Sequence, residues 1–245
     1  MTPARPRTQG PHFFCDPTDI DGSSAILRGD EARHLTAVLR ARTGDPVSLA
    51  DGRGVMYQAR VRAPGREAVL DVLSHFEQPP PEPKLTVVHA LPKARKLDEV
   101  VRRLTELGVD AIIPVHSQRS QVRLDGDRAA KAVSRWRGVG LAAAKQSRRS
   151  RLPQIRDIGE WHTVLASEPG ALILWEHATQ GIVSALQARH ETGGDVTLAI
   201  GPEGGLAADE VAGLPCASLG ATILRTETAS IAAAAIALAH LGRIG

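Results

Sequence analysis

Short apolar runs separated by turn signals dominate the first 76 residues. The runs lie at residues 25–27, 46–50, 55–61 and 68–73. The sequence Asp51-Gly-Arg-Gly54, between the second and the third run, has the composition of a hairpin turn. One helix is predicted near Glu31 to Ala41, where Leu35, Val38 and Leu39 recur at helical spacing. The pattern therefore predicts a small β-barrel over residues 1–76.

A proline-rich segment, Glu77-Gln-Pro-Pro-Pro-Glu-Pro-Lys84, follows this region. Consecutive prolines fix φ and remove amide donors, so they favour a stiff extended connector over a helix or a central strand. We interpret residues 77–84 as a linker between two domains.

From residue 85 onwards the pattern predicts strands that alternate with helices. Strands are predicted at 85–91, 111–115, 171–175, 196–200 and 221–224, and helices at 98–107, 128–146, 181–190, 207–213 and 228–241. The strands are almost continuously apolar, which is typical of a parallel sheet covered by helices on both faces. Residues 85–245 are therefore predicted to form an α/β domain with a mostly parallel sheet.

Composition and cysteine content exclude several classes of protein. The chain is 42% hydrophobic and 23% charged, which is typical of a globular protein. Its longest apolar run, Ile231 to Ala239, is too short to cross a bilayer, and the first 14 residues lack the apolar stretch of a signal peptide. Cys15 and Cys216 provide neither a disulfide framework nor the spacing of a metal site, and the nine histidines are scattered. We expect a cytoplasmic protein with reduced thiols, no metal and no membrane partner.

The net charge of +3 conceals a strong asymmetry along the chain. Residues 84–156 carry 17 basic and 6 acidic side chains, a net charge of +11, whereas residues 157–245 carry 3 basic and 10 acidic ones, a net charge of −7. No acidic residue occurs between Arg128 and Arg156. A positive field over such a length attracts a polyanion, and RNA or DNA is the commonest one.

Two glycine-containing segments are candidates for a nucleotide site. Gly138-Val-Gly-Leu-Ala-Ala143 has the spacing of a dinucleotide fingerprint, but it lies inside a predicted helix and follows no strand, so we reject it. Ile200-Gly-Pro-Glu-Gly-Gly205 directly follows a buried strand and precedes a helix. This is the carboxyl end of a strand, where open α/β sheets bind ligands.

A second loop, residues 219–229, combines one arginine, one glutamate and three threonines at a predicted strand end. Thr226 or Thr228 is expected to cap the following helix, and Glu227 suits the helix dipole. Arg225 suits neither role, because positive charge is locally unfavourable at a helix N-terminus. A residue placed against its local preference is a candidate for a functional site.

The chain resembles the ribosomal RNA small-subunit methyltransferase E family of the SPOUT superfamily. The most specific motifs are Ile200-Gly-Pro-Glu-Gly-Gly205 and Leu224-Arg-Thr-Glu-Thr-Ala229, taken together. Weaker matches lie at residues 30–35, 38–40, 44–45, 105–110, 135–136, 142–149 and 153. Two positions depart from the family, which often has Glu at the position of Lys145 and Lys at that of Arg103; both departures keep or increase positive charge.

The resemblance implies a PUA-like RNA-binding barrel followed by an α/β methyltransferase domain with a deep trefoil knot. It also implies S-adenosylmethionine as cofactor, a homodimer, and methylation of N3 of one uridine in 16S ribosomal RNA, free or in the small subunit. The implied cofactor residues are Leu174, Trp175, Glu176, Gly201, Pro202, Glu203, Gly204, Gly205, Leu219, Gly220, Ile223, Leu224, Arg225 and Thr226. The residues expected to bind RNA phosphates are Arg28, His34, Arg40, Arg135, Arg137, Lys145, Arg148 and Arg149.

Arg225 and Glu227 are the catalytic candidates. Uridine N3 carries a proton and is a poor nucleophile until that proton leaves. Arg225 would supply fixed positive charge beside the anion that develops on the base, and Glu227 would either take the proton or orient Arg225. A non-catalytic RNA-binding assembly factor that keeps a cofactor pocket is the alternative. A nucleotide-dependent oxidoreductase is disfavoured, since the glycines do not fit its fingerprint and it has no use for the basic stretch.

Overall fold

The computed structural model describes residues 9–168, 170–190 and 194–244. The chain forms two compact units. The first consists of the residues up to 80 together with residues 144–152, and the second of residues 81–143 and 153–245. The first unit thus also contains a nine-residue segment from the basic stretch in the middle of the chain.

A five-stranded sheet forms the first unit. Its strands are β1 (His12–Phe14), β2 (Ser24–Leu27), β3 (Pro46–Ala50), β4 (Val55–Ala63) and β5 (Ala68–Glu77), in the order β1-β3-β4-β5-β2. β1 pairs with β3 in parallel, and the other pairs are antiparallel. Phe13, Leu27, Leu49 and Leu70 are buried between the sheet and a short helix, α1 (Gly29–Arg33), which contributes Ala32 to the same core.

The structure confirms most of the predicted elements of the first unit and corrects two of them. The hairpin at residues 51–54 is present, and the Asp51 carboxylate accepts hydrogen bonds from the backbone amides of Arg53, Gly54 and Val55. The helix predicted for 31–41 is instead α1 followed by one wider π-helical turn, His34–Val38. β5 continues to Glu77, past the predicted end at residue 73, because it pairs with β4 as far as Val55. β1 was not predicted, since it is only three residues long.

A seven-stranded parallel sheet forms the second unit. Its strands are β6 (Leu85–Ala90), β7 (Ala111–His116), β8 (Gln154–Ile155), β9 (Gly159–Glu160), β10 (Leu172–Leu174), β11 (Val196–Ile200) and β12 (Cys216–Ala217). The order is β12-β10-β11-β6-β7-β8, and β9 also pairs with β7. The helices are α2 (Lys96–Leu107), α3 (Gly126–Gln146), α4 (Trp161–Ser167), α5 (Ile182–His190), α6 (Ala208–Val211) and α7 (Thr226–His240).

Apolar packing on both faces of the sheet accounts for the continuous hydrophobic strands. Every residue of β6, β7 and β11 is buried. One face packs on a core that includes Val100, Leu104 and residues of α7, and the other on a core that includes Trp161 and Leu165 of α4. The prediction of a parallel α/β sheet is therefore confirmed.

One predicted strand is wrong. Residues 221–224 form a loop, and the strand that pairs with β10 on the side away from β11 is β12, at Cys216–Ala217. Ala221, Thr222 and Ile223 are exposed, and Ile223 is 87% exposed. The apolar run Ile223-Leu224 thus has the composition of a strand but pairs with no strand among the residues that the structure describes. The short elements β8, β9 and α4 were not predicted.

In the described part of the chain, no helix is both long enough and apolar enough to cross a membrane.

Candidate active site

A cavity of about 340 Å³ opens at the carboxyl ends of β10 and β11. Three segments line it: residues 174–176 after β10, residues of the 200–206 turn after β11, and the loop 218–226 that leads into α7. Ala229 of α7 completes the lining. Parallel strands end at the same edge of a sheet, so segments far apart in sequence meet here.

Thirteen of the fourteen predicted cofactor residues line this cavity. Gly204 does not: Nη1 of Arg119 donates to its carbonyl oxygen (3.1 Å), and a Cβ at this glycine would lie 3.3 Å from Cβ of Arg119. The lining residues that sequence reasoning missed are Ile200, Leu206, Ser218, Ala221, Thr222 and Ala229. All of them lie within or beside the predicted segments.

Thr226 joins the two principal loops of the cavity. Its hydroxyl donates a hydrogen bond of 2.7 Å to the carbonyl oxygen of Gly201, and Oγ of Ser230 donates to the Thr226 carbonyl oxygen at 2.7 Å. The residue that caps α7 is Arg225, which makes no side-chain capping bond. The predicted capping role of Thr226 or Thr228 is therefore wrong, because the Thr226 hydroxyl is used by the neighbouring loop.

His89 lies beneath this junction. The side chain is fully buried, its Nδ1 donates to the Ala90 carbonyl oxygen (2.6 Å), and its Nε2 lies 3.5 Å from the Thr226 hydroxyl. Burial lowers the pKa of His89 from 6.5 to about 4. At neutral pH the imidazole is therefore uncharged, with Nε2 available as an acceptor.

We expect His89→Gln to make the free energy of unfolding less dependent on pH in the acidic range. The unfolded chain takes up a proton on His89 below pH 6.5 and the folded chain only near pH 4, so stability from this residue is lost as pH falls between these values. Between pH 7.5 and pH 5, the native chain should lose roughly 2 kcal/mol more of its free energy of unfolding than the variant does. Denaturant unfolding at the two pH values measures this difference. His162→Gln, on the exposed side of α4, is the control and should keep the native pH dependence; an unchanged dependence in His89→Gln would contradict the assignment.

The two predicted catalytic residues lie two positions apart in sequence but differ in surroundings. Arg225 is exposed and lines the cavity. Glu227 lies in the first turn of α7, and its Oε2 is 3.5 Å from Nζ of Lys96. Nζ of Lys96 also lies 3.0 Å from Oε1 of Glu203, which does line the cavity. Lys96 was not among the predicted residues.

Six of the predicted RNA-binding residues belong to the first unit, and most are already engaged. Arg28 is paired with Asp19 and Glu67, and Lys145 with Glu31. The His34 ring packs edge-on to Phe13, and Nη2 of Arg148 donates to the Gly10 carbonyl oxygen. Arg40 is exposed, whereas Arg149 is only 8% exposed. Burial leaves Arg149 little surface for a phosphate.

The two predicted RNA-binding residues of the second unit lie on α3. Arg135 pairs with Asp98 at 3.1 Å, and Arg137 pairs with Asp157 at 3.0 Å and donates to the Ile155 carbonyl oxygen. Both side chains remain exposed. Exposed ion pairs are worth little free energy, so these cations can exchange a carboxylate for a phosphate.

Comparisons with known proteins agree with this arrangement. Residues 79–238 match the model of an RNA methyltransferase domain, and residues 27–72 match that of an RNA methyltransferase PUA domain. A ribosomal RNA small subunit methyltransferase E from Mycobacterium tuberculosis is 36% identical over 243 residues, which cover 94% of this chain and 90% of the relative. The corresponding Bacillus subtilis protein is 30% identical over 84% of this chain and 86% of its own length.

A solved structure shares the whole fold. The ribosomal RNA small subunit methyltransferase E from Neisseria gonorrhoeae, crystallised bound to S-adenosyl methionine, superposes with a TM-score of 0.83. It is 29% identical, and the match covers 95% of this chain and 98% of the other. The parallel sheet, the cavity at its carboxyl edge and the preceding PUA unit define an RNA methyltransferase. The chain belongs to the ribosomal RNA small subunit methyltransferase E family.

Proposed function

We propose that this chain transfers a methyl group from S-adenosylmethionine to N3 of one uridine in 16S ribosomal RNA. The observation that carries the proposal is the convergence of residues 174–176, the 200–206 turn and the loop 218–226 on one cavity. The family supplies the class of reaction, and the cavity supplies a place for the cofactor.

The lining of the cavity suits S-adenosylmethionine. Leu174, Leu219 and Leu224 supply apolar contact for an adenine ring, and the glycine-containing turns leave backbone groups accessible for hydrogen bonds. Glu176 places a carboxylate at the same cavity, where the cationic parts of the cofactor would find charge complementarity. The bound cofactor supplies an electrophilic methyl group on a sulfonium.

Arg225 is the proposed electrostatic catalyst. Removal of the N3 proton leaves negative charge on the uracil ring, and a fixed guanidinium at the cavity rim stabilises this charge without reorganisation. The exposure of Arg225 allows it to reach a base that is presented from solution. Glu227 takes the N3 proton or orients Arg225.

Ribosomal RNA is the proposed partner, and the exposed cations of each unit are proposed to bind its phosphates. Arg40 of the first unit and Arg135 and Arg137 of the second are exposed candidates. Phosphate contacts supply affinity and position, whereas the choice of uridine depends on how the base enters the cavity. By family resemblance we further propose a homodimer, a trefoil knot in the methyltransferase domain and action in the cytoplasm.

A methyl-transfer assay tests the proposed function. The full chain is incubated with radiolabelled S-adenosylmethionine and with either free 16S ribosomal RNA or small subunits that lack the modification. Reverse transcription then maps the product, because a methyl group at N3 blocks Watson–Crick pairing. We expect one stop at one uridine. Cofactor binding without transfer to either RNA would favour the alternative of a non-catalytic assembly factor.

A further inference from the structure

Lys96 contacts the turn after β11 and the start of α7 through one ammonium group. Its Nζ lies 3.0 Å from Oε1 of Glu203, in the turn after β11, and 3.5 Å from Oε2 of Glu227, in the first turn of α7. Lys96 itself is the first residue of α2, so it belongs to neither loop. Three separate elements of the chain therefore meet at a single cation.

The two carboxylates need this cation. Both lie within 3.5 Å of the same nitrogen atom, and their side chains are only about a fifth exposed. Two carboxylates this close together repel each other when no cation lies between them. Oε2 of Glu227 is buried and has no hydrogen-bond partner among the described residues, so Lys96 provides its compensating charge. Loss of Lys96 would leave repulsion between the turn after β11 and the start of α7.

A backbone amide close to Lys96 also binds the Glu203 carboxylate. The Lys93 amide donates to both carboxylate oxygens of Glu203 at 3.2 Å. Burial alone would raise the pKa of Glu203, yet the hydrogen bonds from Lys96 and from backbone amides lower it. The hydrogen bond with Glu203 in turn raises the pKa of Lys96. Both groups are therefore charged at neutral pH, and the segment before α2 holds the turn that lines the cavity.

We propose that Lys96 is a positioning residue of the cofactor site, which holds the turn after β11 and the start of α7 at their working separation through Glu203 and Glu227. This inference rests on the proposed function, because the ligand that reports on the separation is S-adenosylmethionine. An ordinary exposed ion pair contributes little. Lys96 differs because its partners lie in the turn after β11 and at the start of α7, directly after the loop 218–226, and both of these loops line the cavity.

Calorimetric titration of the full chain with S-adenosylmethionine tests the role of Lys96. We expect Lys96→Met, which keeps an unbranched side chain of nearly the same length and removes the charge, to weaken binding about tenfold, since part of the binding energy must then order the loops. Lys96→Arg keeps the charge and should restore binding to within about threefold of the native value.

Arg103→Met is the matched control: Arg103 also lies on α2 and also pairs with two carboxylates, Glu99 and Glu106, but these lie outside the cavity. It should bind as the native chain does.

A double-mutant cycle separates positioning from a general structural effect. Glu203→Gln should also weaken binding, and Lys96→Met combined with Glu203→Gln should bind no more weakly than Lys96→Met alone, because both changes break the same pair. If Lys96→Met fails to fold, Lys96→Gln replaces it in the cycle. Additive losses, or a Lys96 variant that folds and binds within twofold of the native chain, would overturn the role of Lys96 alone. Absence of binding by the native chain would reject the proposed function and this inference with it.

Discussion

Arg225→Ala should lower kcat for methyl transfer by about 10²- to 10³-fold, the usual effect of removing one preorganised electrostatic group. Because Arg225 lies at the rim of the cavity and is exposed, the variant should still bind S-adenosylmethionine with an affinity within a few-fold of the native value. Single-turnover transfer to the RNA substrate, together with calorimetry of cofactor binding, measures the two effects separately.

Arg225→Lys determines whether the reaction requires the guanidinium of Arg225 or only its positive charge, and Arg102→Ala is the control. Arg225→Lys keeps the charge but lacks the planar guanidinium, so its rate should lie between those of the alanine variant and the native chain. Arg102→Ala removes an exposed arginine on α2 whose partner is Glu99, and it should leave the rate unchanged. Native turnover in Arg225→Ala with intact cofactor binding would remove this arginine from the mechanism.

Gly220→Ala should weaken binding of S-adenosylmethionine at least tenfold. Gly220 lines the cavity with φ at 126°, a conformation that is almost restricted to glycine. A Cβ here would meet no atom within 4 Å, so the effect comes from the backbone and not from a clash. Strain of this kind costs about 1–3 kcal/mol and would move the loop 218–226 away from its binding conformation. A tenfold loss of affinity corresponds to about 1.4 kcal/mol, within that range.

Gly213 offers a matched control for this substitution. It also has a positive φ, 72°, and no atom within 4 Å of a built Cβ, but it lies outside the cavity lining. Gly213→Ala should therefore lower the melting temperature and leave the affinity for the cofactor unchanged. Equal affinities in the Gly220 and Gly213 variants would show that the conformation of the 218–226 loop does not limit binding.

The elements that the sequence predicted best are those with a strong local pattern. The strand at 196–200 was predicted with its observed bounds, because five buried apolar or small residues follow one another between polar turns. The start and end of α2 were predicted to within two residues. Gly108 marks the end in the sequence, and it adopts the left-handed conformation that ends the helix. The turn after β11 was found for a related reason, since it follows that strand and contains glycines. The loop 218–226 was found through its arginine, glutamate and threonines, although the strand predicted at 221–224 is wrong.

What sequence reasoning missed depends on contacts between distant residues. The segment 221–224 looks like a strand, yet β10 pairs instead with β12, which is two residues long and carries no periodic signal. Thr226 looks like a helix cap, but its hydroxyl donates to Gly201, 25 positions earlier. Lys96 looks like one cation among many on α2, and only the folded chain brings it to Glu203 and Glu227, more than 100 residues away. Such roles follow from topology, which hydrophobic periodicity does not specify.

A crystal structure of the full chain with S-adenosylmethionine is the most direct test of the central claim. We predict that the cofactor occupies the cavity between residues 201–205 and 219–226, with its methyl group facing Arg225. A cofactor bound elsewhere on the chain, or a cavity that stays empty at saturating cofactor concentration, would contradict the account.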